Sequence, residues 1–221
     1  MANDSQKIHE TRERLLQTAV TAFGRRDYDG VAIRQIVEQA DANIAAVSYH
    51  FGGKRGLYLA TVEYLADQLH VQLAEQRSRI GETLESGNTN ECVDRLCELT
   101  GSFIEVLLGG ELGESAPGII FREQAQPTEA YEILYRELLQ PMHATLSSLI
   151  ACHRGEAIAS RSSITLAHAI MGQCVIFRIG RTTLLRRLDQ PAYTRTDIDE
   201  LKRQLAGYCR CLLEAPINPE D

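Results

Sequence analysis

Three observations on the 221-residue chain predict an all-α fold. Apolar residues recur at three- and four-residue steps in segment after segment, the spacing that puts side chains on one face of a helix. No run alternates apolar and polar residues with the period of two that a half-buried strand needs. Glycine and proline are modest at 16 and 6, and no low-complexity tract points to disorder. With 44% hydrophobic residues the chain can bury a substantial core. The expected organisation is a three-helix head over residues 1–54 and a larger helical bundle over 55–221, with no internal repeat.

In the head, Leu15, Ala19 and Phe23, with Leu16 and Val20 beside them, form an i, i+4, i+8 stripe and predict a helix over residues 10–26. Arg25-Arg26 end it and Asp27–Gly30 turn the chain. Ile33, Ile36, Val37 and Ala40 mark a short second helix, whose start offers Ala32 and Ile33 where a hydroxyl cap is preferred. Asp41-Ala42 link it to a third. There Asn43 can accept from an orphan backbone N–H, and Gly52-Gly53 permit the closing turn. On a wheel of about 100° per residue, Phe51 lies about 40° and Ile44 about 60° from Val47, so these three predict an inward edge, with Ile44 open between core edge and groove contact. Ala45, Ala46, Ser48 and Tyr49 fall on the far side and His50 on the flank. Three short helices, the last two separated by a brief turn, describe a helix-turn-helix head.

The body opens with a long helix expected from about Arg55 to Ile80, its stripe carried by Tyr58, Val62, Leu65, Leu69 and Leu73 and its end at Gly81. Residues 86–90 (SGNTN) are a loop with caps. A stripe from Cys92 to Leu107 follows and ends at Gly109-Gly110, after which GGELGESAPG is expected to be irregular and IIFREQ a short segment. Pro127-Thr128 restart a helix to about His153, with a kink or two abutting helices at Pro141. Ser160–Arg187 and Thr196–Glu214 are the last two.

Composition bounds the function. The net charge is −7, but residues 1–60 hold eight Lys/Arg against seven Asp/Glu, and the rest 15 against 23. A near-neutral head with basic points on an acidic body fits specific contacts rather than bulk electrostatic attraction. No run approaches the roughly 18 apolar residues of a membrane span, and the polar N-terminus carries no signal-peptide apolar region. A soluble, cytoplasmic chain with no membrane partner is expected. Its six scattered cysteines have no CxxC pair and read as reduced, buried small apolar residues. No Ser-His-Asp, metal or glycine-rich phosphate signature is present, so neither catalysis, a cofactor nor a metal is expected. His143, His153 and His168 have no carboxylate or cysteine at metal-ligand spacing.

The residues Ile36-Val37-x-x-Ala40, Ala46 to Phe51 (AVSYHF) and Lys54-x-x-Leu57 resemble the TetR family of transcriptional regulators. FREQ at 121–124, QPT at 126–128, Pro141-Met142-His143 and Ile179-Gly180 resemble the subgroup with a CerR-type C-terminal domain. The resemblance implies a homodimer on a palindromic double-stranded DNA operator, usually as a repressor released by a small-molecule effector. It also implies that Arg34, Ala45, Ala46, Ser48, Tyr49 and His50 face DNA and that Lys54 holds a phosphate. Family members usually have threonine or serine where Ala32 and Ile33 stand, so here a hydroxyl contact is missing.

The chemistry of these residues suits that role. A major groove about 12 Å wide admits a helix whose contacting face is slim, and Ala45 and Ala46 meet that condition with methyls that can touch thymine. Ser48 can donate or accept at a base edge, and Arg34 can span a guanine O6/N7 pair. Tyr49, His50 and Lys54 can reach phosphates, which fix register. In the body, Phe103, Leu107, Phe121, Arg122, Tyr131, Tyr135, His168, Met171, Cys174, Phe177 and Arg178 are candidates to line a ligand pocket, against ordinary bundle core as the alternative. The last two helices carry stripes long enough for a four-helix dimer interface. The alternatives are an activator of the same fold and a helical enzyme.

Overall fold

The computed structural model describes residues 2–158 and 160–214, and among them every regular element is a helix. In order these are α1 (Ala2–Arg25), α2 (Ile33–Gln39), α3 (Ile44–Phe51), α4 (Lys54–Gln72), α5 (Ala74–Ser86), α6 (Thr89–Leu108), α7 (Gly110–Ala125) and α8 (Glu129–Leu134). A π-helical turn, Tyr135–Leu139, leads into α9 (Gln140–Arg154), followed by α10 (Arg161–Ile179), α11 (Arg181–Leu188) and α12 (Arg195–Glu214). They gather into two compact units, one of residues 1–71 and 111–139, the other of 72–110 and 140–221.

The first unit is built on the predicted stripe of α1. Leu15, Ala19 and Phe23 are fully buried, joined by Ile36 and Val37 from α2, Val47 from α3, and Leu57, Val62 and Leu65 from α4. Phe23 meets the ring of Tyr58 edge-on at 4.9 Å, and Tyr28 meets the same ring at 5.3 Å, the geometry that sets a positive ring edge against a negative face. Helix α7 lies against α1 with no side chain between. A Cβ on Gly24 would stand 2.3 Å from the Ser115 carbonyl oxygen, and one on Gly118 2.0 Å from that of Gly24. Only glycine permits so close an approach. Arg122 Nη1 donates to the Phe23 carbonyl at 2.9 Å, where α1 is ending. Glu123, 2% exposed, accepts from the Tyr58 hydroxyl at 2.7 Å and from the Thr128 N–H and hydroxyl at 3.0 and 2.9 Å. A buried carboxylate survives because its oxygens are satisfied. Burial, and then that hydrogen bond, raises the Tyr58 pKa.

The second unit packs an apolar core from α5, α6, α9, α10 and α12. Ile80, Cys92, Leu96, Leu149, Ile150, Ala167, Ile170, Cys209 and Leu213 are its centre. Asn88 caps α6 by accepting from Glu91 N–H, and Ser160 caps α10 by accepting from Ser163 N–H. The loop expected at 86–90 is shorter, Gly87-Asn88 alone, with Gly87 left-handed at φ 66°, because Ser86 ends α5 and Thr89 already begins α6.

Four expectations are corrected. The long helix from Arg55 breaks at Leu73, whose φ of −101° and ψ of 5° leave the helical region. Its stripe looks continuous because Leu69 and Leu73 are both buried, but Leu73 joins the core of the second unit. Gly81 does not end a helix. It sits inside α5 with open space around it, a weakening of about 1 kcal/mol rather than a stop. GGELGESAPG is not irregular: from Gly110 onward it is helical and belongs to α7, with Pro117 inside. The segment 160–187 is interrupted at Gly180, where a Cβ would press to 2.9 Å on the Ile176 carbonyl oxygen. At Pro141 the expected discontinuity is present as the π-helical turn before α9.

All six cysteines are free thiols, and four are buried, but Cys152 is half-buried and Cys211 exposed. Among the described residues α10 is the one helix long and apolar enough to cross a membrane by length and composition, with a mean hydropathy of 1.3. Ser163, Ala167, Ile170, Met171 and Cys174 on one of its faces are nevertheless seated in protein core.

Candidate nucleic-acid interface

The geometry of α3 follows from local chemistry. Asp41 takes a positive φ of 48° and so turns the chain sharply between α2 and α3. Arg14 on α1 clamps that turn, donating from Nε to the Ala40 carbonyl at 3.1 Å and from Nη2 to the Asp41 carbonyl at 3.2 Å. Asn43 Oδ1 accepts from the Ala45 N–H at 2.9 Å, the predicted cap. At the other end Gly52 is left-handed at φ 71° and donates its N–H to the Ser48 carbonyl at 3.0 Å.

Val47, 2% exposed, anchors the helix, and Phe51 is half-buried beside Arg12, whose guanidinium lies 5.6 Å over the ring. Ala45, Ser48 and Tyr49 are exposed, Tyr49 at 75%, while Ala46 and His50 are half-buried at the flanks. The predicted outward face therefore points outward. Ile44 does not join the inward edge. At the first helical position it is 51% exposed, since only the tight 41–43 turn precedes it. Arg34 on α2 is exposed too. Helix α2 begins at Ala32 in an extended conformation with no side-chain cap, as its sequence dictates.

Lys54 opens α4. Its ammonium lies 4.6 Å over the Tyr28 ring and donates to the Asp29 carbonyl at 3.3 Å, so the charge is steered by the loop after α1. His50 is held below its ordinary pKa by partial burial and then by the Arg12 charge. Arg12 and Arg14 were not singled out from sequence. At helical spacing Arg12 falls one turn before Leu15 and Leu16 on the side of the apolar stripe, and Arg14 falls opposite it.

The candidate ligand-lining residues are divided between the two units. In the first, Tyr131 and Tyr135 stack with centroids 6.1 Å apart, and Phe121 is half-buried. Arg122 holds the α1 carbonyl described above and lines a cleft of about 640 Å³ with Asp27, Tyr28, Arg55 and Glu129. In the second unit Leu107, Met171 and Cys174 are buried, and Phe103, Phe177 and Arg178 half-buried. His168 is exposed, with Nδ1 3.3 Å from Nε2 of His143. A second cleft, of about 450 Å³, is lined by residues from α5, α6 and α12, including Glu75, Arg79 and Lys202, and by none of the candidates.

Comparison with known proteins gives this geometry its context. Residues 15–61 match the family described as bacterial regulatory proteins of the tetR family, and residues 92–216 match the C-terminal domain of the HTH-type transcriptional dual regulator CecR. The HTH-type transcriptional dual regulator CecR of Shigella flexneri is 30% identical over 213 residues, covering 94% of this chain and 93% of that protein. Among solved structures, AibR in complex with isovaleryl coenzyme A and operator DNA superposes with a TM-score of 0.65 at 18% identity, covering 90% of this chain and 97% of that one. HlyIIR, a hemolysin II transcriptional regulator, gives 0.59 at 18%, covering 91% and 97%. These last two are likenesses of fold. The C-terminal type read from sequence as CerR is the CecR type. The chain belongs to the TetR family of DNA-binding transcriptional regulators, with a CecR-type C-terminal domain, and not to a family of enzymes.

Proposed function

We propose that the protein is a ligand-responsive repressor that binds a palindromic operator as a homodimer in the cytoplasm and is released by a small-molecule effector. The single observation that carries the reading is the outward face of α3, slim at Ala45 and Ala46, polar at Ser48 and aromatic at Tyr49, on a helix fixed by a cap, a glycine stop and one buried valine. Such a face can enter a major groove, with Arg34 reading a base edge and Tyr49, His50 and Lys54 on phosphates. Residues 1–54 serve as the reading head and 55–221 as the effector and dimerisation body, where Phe103, Leu107, Phe121, Arg122, Tyr131, Tyr135, His168, Met171, Cys174, Phe177 and Arg178 are the candidate effector contacts.

The dimer is supported by α10. Thr165, His168, Ala169, Gly172, Ile176 and Ile179 share one face at helical spacing, and Ile176 and Ile179 are 57% and 60% exposed. An apolar stripe with small residues at its middle suits a second copy of itself crossing at close range. Two heads held about 34 Å apart would then meet successive major grooves. Effector release follows if the ligand binds better to the form with wrongly spaced heads. The CecR relative is described as a dual regulator, which favours testing activation alongside repression.

The decisive experiment selects bound duplexes from random DNA, then titrates small molecules against the selected operator. The reading expects an inverted repeat and at least one binder that lowers operator affinity. Selection of no sequence, or of single half-sites by a monomer, would overturn it.

A further inference from the structure

We propose that Cys92 and Cys152 form a reversible disulfide within one chain when hydrogen peroxide or a similar two-electron peroxide oxidant reaches the protein. The sulfurs stand 2.8 Å apart, although 60 positions separate them in sequence. A disulfide needs about 2.05 Å, so roughly 0.8 Å of approach closes the bond. Both residues lie in the second unit, Cys92 in the first turn of α6 and Cys152 in the last turn of α9. The other described thiols are engaged differently. Cys97 donates to the Ala206 carbonyl at 3.5 Å, Cys209 sits 3.7 Å from the Thr100 hydroxyl, Cys174 is 1% exposed and Cys211 faces outward.

The pair divides the chemistry. Cys152 is half-buried and so meets the oxidant, while Cys92 is fully buried. Burial, then the neighbouring Cys152 sulfur, pushes the Cys92 thiol up to about 12, so Cys92 is not the thiol that peroxide oxidises first, and its attack in the second step rests on the 2.8 Å proximity of the two sulfurs. The Cys152 sulfur takes one oxygen from peroxide, giving a sulfenic acid and one water. The Cys92 sulfur then attacks the Cys152 sulfur, the S–O bond breaks, and the departing hydroxide leaves as water with the Cys92 proton. Two thiols lose two electrons and peroxide becomes two waters. The bond staples α6 to α9, which share the apolar core of this unit. None of this depends on the regulator reading above.

The test exposes the full chain to hydrogen peroxide, blocks remaining thiols under denaturing conditions and maps the peptides by mass spectrometry. The expected result is a linked peptide pair containing Cys92 and Cys152, two fewer blockable thiols of the six, and complete recovery with a dithiol reductant. Cys92→Ser should leave a Cys152 sulfenic acid that a dione probe traps, and Cys152→Ser should leave Cys92 unmodified. The wild-type peptide map stands even if either variant folds poorly. Sulfinic acid accumulating at Cys152 beside a free Cys92, or chains joined through Cys211 with both residues still blockable, overturns the proposal.

Discussion

Helices α3 and α10 each leave one face uncovered, and the two faces are chemically opposite. On α3 the exposed side is methyl, hydroxyl and phenol, held out by a single buried valine. On α10 it runs Thr165, His168, Ala169, Gly172, Ile176 and Ile179, while the opposite side fills a core. A surface that must trade water for phosphate and base edges keeps polar atoms available beside its methyls, here at Ser48 and Tyr49. The face proposed to meet a second copy offers few: the Thr165 hydroxyl, which donates to the Arg161 carbonyl, and the His168 ring, which meets His143. Exposure alone therefore says little; what is exposed distinguishes a nucleic-acid face from a protein face.

That contrast can be broken most forcefully at Ile176. Replacing it by aspartate on a twofold-related face sets two carboxylates against apolar surface, at a cost of several kcal/mol. The expected result is a monomer by sizing and light scattering, with operator binding lost and helical content kept. A dimer that persists would remove α10 from the interface. Next in size, Tyr49→Ala combined with Lys54→Ala should weaken operator binding by about 10- to 100-fold, and the salt slope should fall by about 0.9 for each phosphate no longer neutralised. The α10 interface should be untouched, so the variant remains dimeric. Arg34→Ala should cost about 1–3 kcal/mol, concentrated at one base position in a mutated-operator series.

A titration sharpens the α10 side. His143, beside His168, is held below its ordinary value of 6.5 by burial and then by the His168 charge. The folded chain thus binds fewer protons there than the unfolded one. Its contribution to stability is whole above pH 6.5 and is lost as pH falls through 6.5 toward the lowered folded value. Denaturant midpoints between pH 5 and 7.5 should fall on the acid side, and His143→Gln should flatten that limb. The smallest effect belongs to the head. Ala32 already has the extended conformation of a helix cap, so Ala32→Thr should stabilise it by about 0.5–1 kcal/mol in thermal melts. No gain would mean that the start of α2 is satisfied by other means.

How much of this was legible in sequence depends on range. The α3 face was readable because cap, period and glycine stop lie within about ten residues. Helix breaks at Leu73 and Gly180 were not, since the apolar stripe runs straight through both and only tertiary packing distinguishes the halves. Helix α7 was hidden for the opposite reason. Its glycines and proline signal a loop locally, yet Gly118 is the residue that lets α7 touch the backbone of α1. Arg122 reads from sequence as a candidate to line a ligand pocket, and in the fold it meets the Phe23 carbonyl, 99 positions away.

The interleaving of the first unit has an effect on its birth. Residues 111–139 supply the strut that Gly24, Phe23 and Tyr58 lean on, so the N-terminal third of the chain emerges from the ribosome without its support. Synthesis at roughly 5–20 residues per second then leaves several seconds in which a nascent head waits, incomplete, for Leu139 to follow. A polypeptide released early, before Arg122 and Glu123, would carry the reading helix but not the scaffold that holds it true.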